Sequence, residues 1–359
     1  MRDNGIDMSE KTILVTGASG FIASYIVKDL LARQYRVRGT VRSLRNPDSQ
    51  THLLALPGAA ERLELAEADL LTPGSFDQAA EGCDAVIHTA SPYKINVEDP
   101  QKDLVEPAVS GTRHILEAAA KSTTVKRVVL TSSMAAVTDE PDEDHVLTEA
   151  DWNTKSSLER NPYYYSKTVA EREAWAIMEQ LRPGYDLVAI NPFLVIGPAL
   201  TKALNPSNQL FADMLTGVFP GIMNMVWGFV DVRDVAQAHV LAMETPAAKG
   251  RYLCAGGRAS MREVTDLLRQ NGYAGYKLPK LGLDCAAGDF VVKLSSYLQP
   301  KGVGDYMRSH VGRTPNYDTS KIRRELGLEF RDTRASILET VEDLFRWGHV
   351  KPAAVSATV

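Results

Sequence analysis

The 359-residue chain is poor in cysteine: Cys83, Cys254 and Cys285 lie far apart, are odd in number and show no C-x-x-C spacing. That excludes a disulfide-stapled scaffold and a clustered zinc site, and it leads us to expect reduced thiols and a cytoplasmic location. Surplus positive charge is also missing. Lys and Arg number 40 against 45 Asp and Glu, a formal charge of −5, so a nucleic-acid partner held by bulk charge is not expected. No apolar run approaches the roughly 20 residues that span a bilayer, so no membrane partner is expected either. The polar start, residues 1–11, lacks the basic-then-apolar layout of an export signal. What is present is a 44% hydrophobic content, ample for one large domain or two.

The first half alternates short β-rich runs with helical stretches. Strands are expected at 12–16, 36–42, 63–66, 85–89, 127–132 and 187–191, with helices at 21–33, 104–121 and 165–181 between them. This pattern predicts an α/β fold, a doubly wound parallel sheet of the Rossmann type. After Pro198 the chain turns rich in Asn, Pro, Gly and Met, which reads as looped cover through Gly228. A second apolar segment starts near Phe229, and further helices are expected at 261–271 and 336–347.

The first strand runs straight into Thr16-Gly17-Ala18-Ser19-Gly20-Phe21-Ile22-Ala23. Gly17 permits a sharp turn, Gly20 removes a Cβ where the backbone must approach a pyrophosphate, and Ala23 lets the helix sit close to the strand. Such a string is weak alone but informative at the first βα junction of an alternating chain. An NAD site usually places an acid at the end of the second strand; here stand Arg42 and Arg45, suited to a 2′-phosphate, so NADP(H) is the expected cofactor. Asp69 and Leu70, after the third strand, are placed by position near the adenine.

Asn161-Pro162-Tyr163-Tyr164-Tyr165-Ser166-Lys167 opens a helical run in which only Tyr163 stands four residues before Lys167, on the same face. A free phenol titrates near 10, so a tyrosine that exchanges protons near neutrality needs a fixed cation beside it. Lys167 supplies that charge. A hydroxyl to orient a carbonyl is available from Thr131-Ser132-Ser133 at a strand end. His88, His114 and His239 are read as structural, and Asp231 to Asp234 as helix capping and ion pairing.

The strings TGASGFIASYIV, TVRS, ADL, VIHTASP, RVVLTSSMAAV, YYYSKTVAE, INPFLVIGP and FVDVRDVAQAH together resemble the extended short-chain dehydrogenase/reductase superfamily. Within it, they are most similar to the branch of dihydroflavonol 4-reductase, cinnamoyl-CoA reductase and the yeast-type methylglyoxal/isovaleraldehyde reductases, from about Thr12 to Trp347. The resemblance implies NADPH-dependent reduction of an aldehyde or ketone. It assigns Ser133 to the catalytic serine, Tyr163 to the acid/base, and Lys167 to the lysine that also holds the nicotinamide ribose. It places Thr89, Ala90 and Ser91 beside the cofactor, with Pro192 and Val195 in the segment under the nicotinamide. Pro92, Tyr93 and Met134 fall at pocket-lining positions, with Phe193, Met223, Met225 and Trp227 as candidates to close the pocket against ordinary packing. Ala23 replaces a common third glycine, and Ser110 stands where many relatives have Asn.

The expected organisation is a nucleotide domain at 11–198, rejoined by 229–257. A smaller substrate region takes 199–228 and 258–347, and 1–10 and 352–359 are flexible ends. The expected substrate is a small apolar carbonyl compound, aryl or branched, and the expected state a monomer or homodimer. A cinnamoyl-CoA-type thioester reductase, a hydroxysteroid dehydrogenase and a sugar-nucleotide epimerase remain open on the same scaffold, and a non-catalytic dinucleotide sensor is the remotest alternative.

Overall fold

Seven short runs dense in Val, Ile and Leu build the centre of the molecule because they can be buried on both faces. A computed structural model describes residues 10–46, 49–91 and 97–352. The runs form β1 (Thr12–Thr16), β2 (Arg36–Val41), β3 (Leu63–Glu67), β4 (Ala85–His88), β5 (Arg127–Thr131), β6 (Asp186–Pro192) and β7 (Gly250–Cys254). All neighbours pair parallel in the order β7-β6-β5-β4-β1-β2-β3. The longer helices are α1 (Phe21–Ala32), α2 (Glu106–Lys121), α3 (Pro162–Leu181), α4 (Pro206–Thr216), α5 (Val232–Glu244), α6 (Met261–Leu268), α7 (Ala286–Ser295), α8 (Lys301–His310) and α9 (Thr333–Arg346).

Alternation along β1 divides the core. Ile13 and Val15 face the side covered by α1 and α5, with Ile26, Leu30 and Val235, whereas Leu14 faces α2 and α3, with Ile115, Leu116 and Ile177. Helices on both faces give the doubly wound sheet that the alternation implies. A further core outside this sheet gathers Ile196, Phe211, Met214, Met223, Met225, Trp227, Phe229 and Val341 around three short strands. Of these, Val226–Asp231 runs parallel to Leu194–Ile196 and antiparallel to Gly257–Ser260.

Three elements differ from the sequence reading. The stretch after Pro198 is not only loop: α4 occupies it, started by Asn205, whose side chain accepts from Asn208 N–H, and ended by Gly217 at φ +84. Its buried Phe211, Met214 and Leu215 anchor it in the further core. Only α5 and β7 of 229–257 rejoin the large sheet, since Phe229 to Asp231 pair in the small one. Helix α6 is regular only to Leu268, after which Gly272 adopts φ +93 inside a wider turn. Cys83 and Cys254 are buried, and Cys285 is exposed just before α7. The ends expected to be flexible lie, but for residues 10 and 352, outside the described residues. No helix among the described residues is long and apolar enough to cross a membrane.

Candidate active site

The strand order reverses between β1 and β4, so the segments leaving the carboxyl ends of β1, β4, β5 and β6 border one crevice. Gly17 leaves β1 at φ +63, and a Cβ there would lie 3.1 Å from the Ala90 side chain, so conformation and space both call for glycine. Gly20 closes the turn with its N–H on Gly17 O at 2.9 Å, then begins α1 without any side-chain cap. Gly20 is exposed and Ser19, Phe21 and Ile22 are half-buried, while Ala18 and Ala23 are buried. An uncapped helix start behind a glycine turn suits an anionic group such as a pyrophosphate.

Thr16 ties this turn to β4. Its hydroxyl accepts the N–H groups of Thr89 and Ala90 at 3.1 Å each and donates to His88 Nδ1 at 2.7 Å, which leaves the ring proton of His88 on Nε2. Burial, with the nearby Lys167 charge, pushes His88 down to about 3, so it is a neutral brace. His239 is another: its Nδ1 donates to Val235 O, its Nε2 takes the Thr131 hydroxyl at 2.7 Å, and burial lowers it to about 4. His114 Nδ1 donates to Leu70 O at 2.8 Å.

Arg42 and Arg45 lie exposed just past β2, and among the described residues neither is paired with an acid. Both guanidiniums are thereby available to a phosphate. Asp69 Oδ1 accepts Leu71 N–H at 2.8 Å, which folds its carboxylate into a local turn. Leu70 packs against α2, where a Cβ on Gly111 would come within 2.6 Å of it, a direct reason for glycine after Ser110.

Helix α3 begins at Pro162, three residues before the expected start, so Tyr163 sits in its first turn and Lys167 one turn deeper. The Lys167 ammonium lies 5.7 Å from the centre of the Tyr163 ring and donates to Ser91 Oγ at 2.7 Å. Lys167 is 9% exposed, and among the described residues no carboxylate is ion-paired with it, so burial alone brings it down from 10.5 to about 8. Ser133 follows β5 and starts the turn Met134–Ala136; its hydroxyl accepts Ala135 N–H at 3.1 Å, which leaves its own proton to donate.

Beneath these groups lies a buried polar network that the sequence reading missed. Glu171, one further turn along α3, accepts from Ser132 Oγ at 2.5 Å, Asn191 Nδ2 at 2.8 Å and Arg251 Nε at 2.6 Å. Arg251, from β7, also donates to the carbonyls of Glu149 and Asp151, and its guanidinium lies 3.9 Å from the Trp152 ring centre. The i+4 spacing from Lys167 to Glu171 was a signal for one partner. Nothing local marked Arg251. Asn191 also donates to Ser133 O at 3.1 Å, which joins the network to the serine turn.

On the substrate side the residues divide. Met134 is buried next to Ser133, and the Phe193 ring, between Pro192 and Val195 in sequence, lies 4.4 Å from the Tyr317 ring at a tilt of 43°. Met223, Met225 and Trp227, offered above as pocket closure, are 5%, 4% and 5% exposed and belong to the further core, so packing accounts for them. Pro92 and Tyr93 lie outside the described residues.

The glycine turn lies at the switch point and Tyr163 and Lys167 share one helix; with this fold, the comparisons show the chain to be an NAD(P)-dependent reductase of the extended short-chain dehydrogenase/reductase class. It belongs to the NAD dependent epimerase/dehydratase family, whose model matches residues 13–255. The chain is 40% identical to cinnamoyl-CoA reductase CAD2 of Medicago truncatula over 92% of its own length and 95% of that protein. It is 43% identical to tetraketide alpha-pyrone reductase 2 of Arabidopsis thaliana over 73% and 83%. Among solved structures, yeast methylglyoxal/isovaleraldehyde reductase complexed with NADPH superposes with a TM-score of 0.78 at 30% identity, covering 94% of this chain and 100% of that one.

Proposed function

We propose that the chain is an NADPH-dependent reductase of an apolar aldehyde or ketone, aryl or branched, with Tyr163 as proton donor. The observation that carries this reading is the buried Lys167, held by Ser91 one helical turn behind Tyr163. The residues that would hold the cofactor are the Gly17–Gly20 turn for the pyrophosphate, Arg42 and Arg45 for the 2′-phosphate, and Lys167 with Ser91 for the nicotinamide end. Bound NADPH supplies the hydride. Tyr163 Oη gives its proton to the carbonyl oxygen as that oxygen gains charge, and Ser133 Oγ donates to the same oxygen. The phenolate left behind is stabilised by the Lys167 ammonium until a solvent proton restores it. Thr16 and His88 keep β4 against β1, and the Glu171–Arg251 pair fixes the strand ends below.

The two cinnamoyl-CoA reductase features at hand, 40% identity and near full-length coverage, favour a second reading in which the acyl group of a cinnamoyl-type thioester is reduced. NADPH consumption at 340 nm over a panel of aryl aldehydes, diketones, a flavanonol and a cinnamoyl thioester separates the two. Tyr163→Phe is expected to lower kcat about 10²- to 10⁴-fold on the best substrate, with NADPH affinity nearly unchanged. Near-native turnover by that variant ends the proposal.

A further inference from the structure

We infer that Asn161 is a positioning residue for Tyr163: its amide holds the first turn of α3 between the Ser133 turn and α8. The inference rests on the reading of Tyr163 as proton donor. Asn161 has φ +48 and ψ 60, in the left-handed region. Pro162 disfavours the right-handed helical region for the residue before it, and Asn tolerates the left-handed one better than most. A helix-starting Asn ordinarily turns its side chain onto the first-turn N–H groups, yet this one makes no such bond.

The amide faces outward from the helix instead. Its Nδ2 donates one proton to the Asp139 carboxylate and the other to Ser309 Oγ at 2.9 Å, and its backbone N–H donates to Asp305 Oδ2 at 3.3 Å. All four residues are buried, at 4%, 1%, 4% and 9% exposure for Asn161, Asp139, Ser309 and Asp305. Asp139 follows the Met134–Ala136 turn that Ser133 starts and is also held by Arg160 Nε at 3.1 Å. Asp305 is gripped by Lys301 at 2.8 Å and by Arg308. Next to Ser309, His310 stacks on Tyr306 at 4.1 Å and lies 5.6 Å from Tyr164, whose ring meets Tyr163 edge-on at 6.0 Å. One side chain therefore spans the serine segment, the start of the tyrosine helix and the aromatic wall beside it. Tyr163 sits in the turn that this amide anchors, whereas Lys167 is secured separately by Ser91. Loss of the amide should displace the phenol and spare the lysine.

Asn161→Gly keeps the left-handed backbone and removes the amide. Against the best carbonyl of the panel, kcat is expected to fall about ten- to a hundredfold, the scale of a misplacement near 1 Å, with NADPH Kd and substrate KM within about threefold. In a Tyr163→Phe background, measured by single turnover, the same change should cost less than about twofold, because the residue acts through Tyr163. A kcat within about twofold of the parent, or an undiminished loss in the Phe background, overturns the inference. Full turnover by Tyr163→Phe alone would instead sink the underlying reading. If the Gly variant fails to fold, Ser309→Ala decides: kcat lower by about threefold or more with unchanged NADPH Kd supports the assignment, and unchanged kcat refutes it.

Discussion

The crevice and the further core are made differently. At the crevice, the residues proposed to act are close in sequence: Gly17 and Gly20 in one turn, Tyr163 and Lys167 in one helix. In the further core, Met223 and Trp227 owe their places to distant strands; Ile222–Met223 pairs with Gly282–Leu283, and Trp227 with Ala259. A phosphate site can be written in a few consecutive residues because main-chain N–H groups do the binding. An apolar wall cannot, since any large side chain serves once the surrounding strands are in place.

The comparison predicts where damage shows. Glu171→Ala leaves the Arg251 guanidinium buried without its carboxylate, and about 3–5 kcal/mol of stability should be lost in denaturant unfolding. A loss below about 1 kcal/mol would mean that the network is not structural. Trp227→Ala should also cost roughly 3–5 kcal/mol, with substrate KM nearly unchanged in whatever protein remains folded. A large KM change without a stability loss would return Trp227 to the pocket and erase the contrast drawn here. Arg42→Ala should reduce kcat/KM for NADPH about tenfold or more and leave that for NADH nearly alone, since a charge-assisted phosphate contact is lost. The smallest effect is a pH dependence. Burial has lowered Lys167 to about 8 from 10.5, so the free enzyme loses this ammonium as pH rises through about 8, and kcat/KM should decline there. A flat profile from pH 7 to about 9 would contradict that role.

The sheet, the glycine turn and the placing of Tyr163 one turn before Lys167 on one helix were legible because their signals are local: alternating apolar runs, glycines at a fixed offset and a four-residue spacing. Helix α4 shows the limit of reading texture alone. Its signals were present in Asn205 and Gly217, but the Asn, Pro and Met content around them resembled a loop. The Ser132–Glu171–Arg251 network was hidden for a different reason: its members lie 39 and 80 residues apart, and only the closed sheet brings them together. Asn161 stood beside the chosen tyrosine, but its significance lies in Asp139 and Ser309, which no spacing rule connects to it.

The distribution of thiols makes the molecule convenient to instrument. Burial raises Cys83 to about 11 and pushes Cys254 up as well, so neither forms thiolate readily near neutrality, whereas Cys285 stands exposed beside α7. A maleimide fluorophore added to the unaltered protein should therefore attach at one place, at the start of α7. That dye would report on the surroundings of α7 without any cysteine being engineered in or out.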